Sequence, residues 1–160
     1  MKNCRIIIDG VSLRGTGLKK TTLAEAARYF AFRSASRIKL PFREVTVVLQ
    51  DDISSDEAHQ AIMNVCGATD VITQRYDAMP GEEDGVYGEL YVNVQRAVSY
   101  AKNRPRWSAE NEVLLYVAHG MDHLSGADDM TETDRRKMRR RELAWIKAFL
   151  STIRDSRYCF

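Results

Sequence analysis

A chain of 160 residues suits one domain around one core. With 44% hydrophobic and 29% charged residues it has the make-up of an ordinary soluble globular protein, which excludes a fibrous or low-complexity chain. A net charge of +2 does not by itself establish a nucleic-acid partner, so the distribution of charge carries more information than its total.

The run Arg5 to Asp9 is β-branched and bounded by Gly10, the pattern of a short strand. GVSLRGTGLKK follows as a glycine-punctuated loop whose spacing matches neither a dinucleotide fingerprint nor a P-loop. Thr21 or Thr22 is a candidate cap for a helix to about Ser36, in which Leu23, Ala26, Ala27, Phe30 and Ala31 recur at helical spacing. Arg28, Arg33 and Arg37 interleave with them, as a solvated face or as a nucleic-acid contact. Glu44 to Gln50 is the clearest strand, with Val45, Val47 and Leu49 on one side. Ser54 or Ser55 is a candidate cap for the helix SSDEAHQAIMN, ended by Gly67, with His59 at its surface.

Thr69 to Tyr76 and Tyr87 to Val94 read as two further strands, separated by the acidic loop DAMPGEEDG. That loop lacks the carboxylate spacing of a calcium-binding EF-hand and reads as solvated. A helical stretch to Lys102 ends at the break NRPRW. Ser108 caps the next helix, with Glu110 and Glu112 in its first turn and Val113, Leu114 and Val117 on its apolar side. Thr131 begins the last helix, with Asp134 three residues on and a stripe of Met138, Leu143, Ile146, Phe149 and Leu150. The tail RDSRYCF is expected to be a frayed end or a packed strap. The order of elements implies an α+β fold, a small mixed β-sheet packed with helices, over residues 1–160 as one domain.

Val113 to Asp129 concentrates the chemistry. His119 and His123 are four apart, on one face of a helix, so both imidazoles reach one ion. Gly126 can adopt the left-handed conformation that stops a helix, after which the chain can return with a third ligand. Gly126 and Asp129 stand seven and ten residues after His119, the positions of the glycine and third ligand in the extended zincin pattern. His119, His123 and Asp129 are therefore the expected metal ligands, most simply for one Zn2+ ion, with another divalent metal possible in its place. Three protein ligands with an open position lower the pKa of a bound water and supply hydroxide near neutral pH. A peptide-cleaving zincin needs a glutamate right after its first histidine; here that residue is Gly120, so a metallopeptidase-like hydrolase lacks its base.

The three cysteines, Cys4, Cys66 and Cys159, form no CxxC pair and no even set. They argue against a disulfide framework and fit a reducing, cytoplasmic location. The N-terminal apolar run is too short for a signal-peptide core, and no stretch approaches the roughly 20 apolar residues of a membrane helix.

The sequence resembles the YbeY family of metal-dependent endoribonucleases, the ribosomal RNA maturation factors. That family's signature is HGxxHLxGxDH; here HGMDHLSGADD matches at His119, Gly120, His123, Leu124, Gly126 and Asp128. Met63-Asn64 is similar to the family's Leu-Asn pair, Thr69-Asp70-Val71 to its Thr-Asp-Val, and Gly88-Glu89-Leu90 to its Gly-Asp-Ile; Met138 and Glu142 fit its closing helix. The resemblance implies a single-strand endoribonuclease of ribosomal RNA processing and ribosome maturation, acting on small-subunit rRNA, with rRNA and the ribosomal subunit or its assembly proteins as partners. The other readings are a non-catalytic ribosome-assembly factor with a structural metal site, and the peptidase-like hydrolase.

Three departures accompany it. Asp129 replaces the third histidine, and a carboxylate binds zinc at a similar distance. The arginine usual between the Leu-Asn and Thr-Asp-Val elements is absent from Val65-Cys66-Gly67-Ala68, leaving Arg75 or Arg96 as substitutes for a phosphate contact. Asp122 takes a normally apolar position, where it either orients a ligand, accepts a proton from metal-bound water or faces solvent. Asp122 and Asp128 are accordingly the candidate catalytic carboxylates. The run RRKMRRR, Arg135 to Arg141, contacts RNA phosphates or acidic ribosomal surfaces, or is a solvated face.

Overall fold

A computed structural model describes residues 4–158. The elements are β1 (Arg5–Gly10), α1 (Lys20–Ile38), β2 (Phe42–Gln50), α2 (Asp52–Met63), β3 (Val71–Tyr76), β4 (Val86–Asn93), α3 (Val94–Ala101), α4 (Ala109–Leu124) and α5 (Glu132–Tyr158). The strands form one sheet in the order β1-β2-β4-β3. β1 pairs parallel with β2 and β2 parallel with β4, whereas β3 closes the edge antiparallel to β4. The architecture is the expected α+β fold with a small mixed sheet.

Alternation on the central strands decides which face is covered. Val45, Val47 and Leu49 of β2 are fully buried and lie in register with Gly88, Leu90 and Val92 of β4. The intervening Thr46, Val48, Glu89 and Tyr91 are only partly buried. α4 packs directly on the apolar face, and glycine is what permits the close approach. A Cβ on Gly120 would fall 2.6 Å from a Leu90 methyl, and one on Gly88 2.6 Å from a Leu124 methyl. α4 is buried almost all round, including Val113, Leu114, Val117, Met121 and Leu124, the signature of a helix at the centre of a fold. α5 crosses α1 through aromatic contacts, Trp145 stacking on Phe30 at 6.4 Å and Phe149 meeting it edge-on at 6.1 Å.

Element boundaries differ from expectation where a longer-range partner replaces a local cap. α1 starts at Lys20 with no side-chain cap on Lys19, so neither Thr21 nor Thr22 caps it. Instead Leu18 and Leu23 are both buried at the N′ and N4 spacing of a hydrophobic staple. α2 is capped by Asp51 rather than by Ser54 or Ser55; Ser54 is the reciprocal partner in a capping box, its N–H donating to Asp51 at 2.9 Å. Asn64, with φ +54°, ends α2 three residues before Gly67. β3 begins at Val71 rather than Thr69, because the Thr69 N–H is taken by the Ser55 hydroxyl. Ser108 and Thr131 do cap α4 and α5, accepting from the N–H groups of Asn111 and Asp134 at 3.1 Å each. On α5, Leu143 is exposed and Trp145 is buried in its place, while Arg154 to Tyr158 continue the helix rather than fraying or strapping; Cys159 and Phe160 lie outside the described residues.

Candidate metal centre

α4 runs into the site and stops there. Gly126 has φ +86°, and its N–H donates to His123 O at 2.8 Å while the Ala127 N–H reaches Asp122 O at 3.2 Å. This left-handed stop reverses the chain and returns Asp129 to the face that carries the histidines. His119, His123 and Asp129 each contribute one ligand atom to a group whose atoms all lie within 4.8 Å of one another. The two Nε2 atoms are 2.9 Å apart, and each is 3.6 Å from Asp129 Oδ2. Nitrogen and oxygen ligands about 2.0–2.2 Å from a tetrahedral zinc lie roughly 3.3 Å from each other, so the observed spacings bracket the requirement.

The tautomers support the same fit. His123 Nδ1 is 3.0 Å from Ala127 O, which can only accept, so that nitrogen carries the proton. His119 Nδ1 lies 2.7 Å from Glu142 Oε1, the carboxylate–histidine pairing that orients metal-binding imidazoles. Both Nε2 lone pairs then face each other, an arrangement that calls for a cation between them. Burial of the His119 ring opposes its protonation and Arg139 opposes it further. The Glu142 hydrogen bond and charge, with Asp129 behind, outweigh both and raise its pKa.

The group opens into a cavity of about 500 Å³ whose far wall is α2 and β3, with His59, Met63, Thr69 and Arg75 among its lining residues. Arg75 is held there by donating to Leu124 O at 3.0 Å. His59 is half-buried as a lining residue of that wall, its Nδ1 2.7 Å from Gly67 O, and it stands outside the ligand group. The only local signal was its position in a helix preceding the Thr-Asp-Val segment.

Asp122 and Asp128 are not brought into the group. Asp122 is fully buried and neither faces solvent nor reaches the histidines' ligand face. Arg141 forks onto its Oδ2 with bonds of 2.9 and 2.6 Å, and Arg37 donates to its Oδ1 at 3.2 Å, tying α1, α4 and α5 together. Two arginines expected on solvated or nucleic-acid-binding faces are thus turned inward. Asp128 is exposed, its carboxylate accepting from the Met130 N–H at 2.9 Å, which shapes the turn that delivers Asp129. Glu142 was legible only as part of a family pattern, since its partner His119 is 23 residues away.

Fold and site together define a class: a small α+β protein whose central helix carries two histidines and a returning carboxylate against a mixed sheet. A family model described as Endoribonuclease YbeY matches residues 16–149. The chain belongs to the YbeY family. A Kineococcus radiotolerans protein named Endoribonuclease YbeY is 31% identical over 154 residues, covering 92% of this chain and 87% of that one. A Thermobifida fusca protein of the same name is 31% identical over 137 residues, covering 82% and 86%. A Thermotoga maritima protein solved in solution shares the fold, with a TM-score of 0.62 and 24% identity over 94% of this chain and 93% of the other.

Proposed function

We propose that this protein is a metal-dependent endoribonuclease that cuts single-stranded ribosomal RNA, in small-subunit rRNA processing and ribosome maturation. The observation that carries the reading is the pair of imidazoles with both Nδ1 hydrogens already given away and both Nε2 atoms converging with Asp129. Membership of a family whose relatives are named endoribonucleases supplies the reaction class.

His119, His123 and Asp129 would hold one divalent ion, zinc being the first expectation. Such an ion supplies a Lewis acid for a phosphodiester oxygen and a water acidic enough to attack near neutral pH. Glu142 and Ala127 O fix the imidazole tautomers that leave Nε2 free to ligate. Arg75, on the opposite wall of the same cavity, is the cation best placed to hold a phosphate there. Gly120 packs against Leu90 on the sheet, so a glutamate at that position would not reach the cavity, and the structure offers the peptidase reading no base at this point.

The second reading, a ribosome-assembly factor with a structural metal, draws on the missing arginine in Val65 to Ala68. One experiment separates the readings: metal content of the purified protein alongside cleavage assays on single-stranded fragments of small-subunit and large-subunit rRNA. Cleavage that disappears with His123→Ala, in a variant that still folds, supports the nuclease. Intact RNA with wild type, together with loss of both metal and fold in His123→Ala, supports the structural role. Metal-dependent proteolysis without RNA cleavage would replace both.

A further inference from the structure

His119 forms part of two cavities. Behind the one that opens onto β3 lies a larger one, about 860 Å³, which shares His119 and Asp70 with the first. Its wall comes from the break between α3 and α4, which supplies no metal ligand. Arg104 and Trp107 are joined by a backbone turn, the Trp107 N–H donating to Arg104 O at 3.0 Å, with Pro105 and Arg106 at its tip. Arg104 and Arg106 are exposed on the lip. Arg139 lines the side nearest the metal group, 3.9 Å from the Glu142 carboxylate.

The aromatic surface of this cavity is fixed in place. Glu112 is buried at 4% exposure and accepts from the Trp107 indole N–H. That buried carboxylate therefore anchors the indole ring. Tyr100 stands exposed beside them with the Arg104 guanidinium 3.9 Å from its ring centre, an aromatic–cation stack already formed. Pre-oriented rings bordered by arginines are the chemistry that holds unpaired bases by their faces and their phosphates by charge. A duplex has no free base faces to offer such rings.

We propose that this cavity binds the nucleotides adjoining the scissile phosphodiester of a single-stranded RNA, with bases stacked on Trp107 and Tyr100 and phosphates paired to Arg104 and Arg106. The proposal rests on the nuclease reading for the position of the cut. It also places cationic groups in the segment between α3 and α4, in a chain that lacks, between α2 and β3, the arginine usual between the Leu-Asn and Thr-Asp-Val elements.

Binding of a short 2′-O-methyl single strand, which reports affinity apart from cleavage, tests it with the purified full chain. The double variant Arg104→Ala/Arg106→Ala should bind tenfold or more weakly and lower the salt dependence, by about 1.4 in log–log slope for two phosphate contacts on a single strand. Trp107→Ala should weaken binding by about tenfold with the salt slope unchanged, as loss of one stacked base does. Metal content and circular dichroism should match wild type in the double variant, whose residues are exposed. A duplex of the same sequence should bind wild type at least tenfold more weakly. Wild-type RNA cutting with unchanged binding in all variants overturns the subsite and leaves the nuclease standing. Loss of binding in the variants, with a wild type that cuts no RNA, keeps the subsite and overturns the nuclease. A polyglutamate peptide that binds as tightly as the RNA, with the same dependence on these residues, overturns the RNA assignment in favour of an acidic protein partner.

Discussion

Glu142 on α5 lies 2.7 Å from the Nδ1 of His119 on α4, so the last helix holds the ring of the first histidine in the site. Glu142 is fully buried at this contact. Glu142→Gln keeps an acceptor but removes the charge. Metal affinity is expected to fall by about 10–100-fold, the usual effect of losing such an outer partner, while the melting curve stays cooperative. Competition against a chelating dye measures it; an unchanged affinity would show that Glu142 serves packing alone.

Asp129 can be tested separately from the histidines. Asp129→Ala should lose most bound metal, and Asp129→His should retain it, since imidazole nitrogen and carboxylate oxygen bind zinc at similar distances. Elemental analysis of the purified variants decides the matter. Full occupancy in Asp129→Ala would reduce the ligand set to the two histidines.

The metal-free protein should show a pH signature at His119. Its pKa is raised in the folded state, where the Glu142 bond and charge together with Asp129 outweigh burial and Arg139. The favourable contribution is therefore complete below the unfolded value of about 6.5 and disappears as pH rises through the higher folded value. Urea unfolding of chelator-treated protein should give lower stability on the alkaline side of that window, and Glu142→Gln should flatten the dependence. A metal-free protein that instead gains stability with rising pH there would contradict the assignment.

Asp122 is expected to matter for stability rather than chemistry. Breaking a fully buried ion pair by removing one partner costs about 3–5 kcal/mol, but Arg37 and Arg141 keep 34% and 28% of their side-chain surfaces exposed and can turn toward water. Asp122→Ala should therefore cost about 2 kcal/mol, read from thermal or urea melts. RNA cleavage that falls sharply in Asp122→Asn, with metal and stability preserved, would return a catalytic role to this residue.

The two described cysteines should differ in reactivity. Burial raises the Cys4 thiol pKa to about 11, against the lowering effect of Arg28, and Cys66 is exposed. Alkylation followed by peptide mass mapping should label Cys66 well before Cys4 at neutral pH, because the thiolate is the reactive form. Equal rates would mean that β1 opens readily.

What the sequence revealed follows the range of the interactions involved. The i, i+4 histidines, the Gly126 stop and the return of Asp129 are local, and the structure brings these residues together as their spacing implies. The α+β sheet was similarly legible, because Val45, Val47 and Leu49 alternate strictly. Caps were legible where a side chain bonds its own first turn, as at Ser108 and Thr131. They were misread where a neighbour competes, as at Asp51 with Ser54, or where apolar packing replaces a polar cap, as at Leu18 with Leu23. Asp122 was misplaced for the same reason: its two arginines arrive from α1 and α5, and no sequence window contains all three. The larger cavity is lined together by Trp107 and Arg139, 32 positions apart in the chain, so the break NRPRW read only as punctuation.

The position of α5 sets an order of events during synthesis. Adjacent residues Arg141 and Glu142 grip Asp122 and His119, one turn apart on α4. A growing chain that has released both histidines and Asp129 has every ligand but neither clamp. Until α5 docks, the His119 tautomer is unfixed and α4 lacks one of its charged ties. Under the proposed function, a half-made protein would remain harmless to the RNA of the ribosome producing it, and competence would come only with the closing helix.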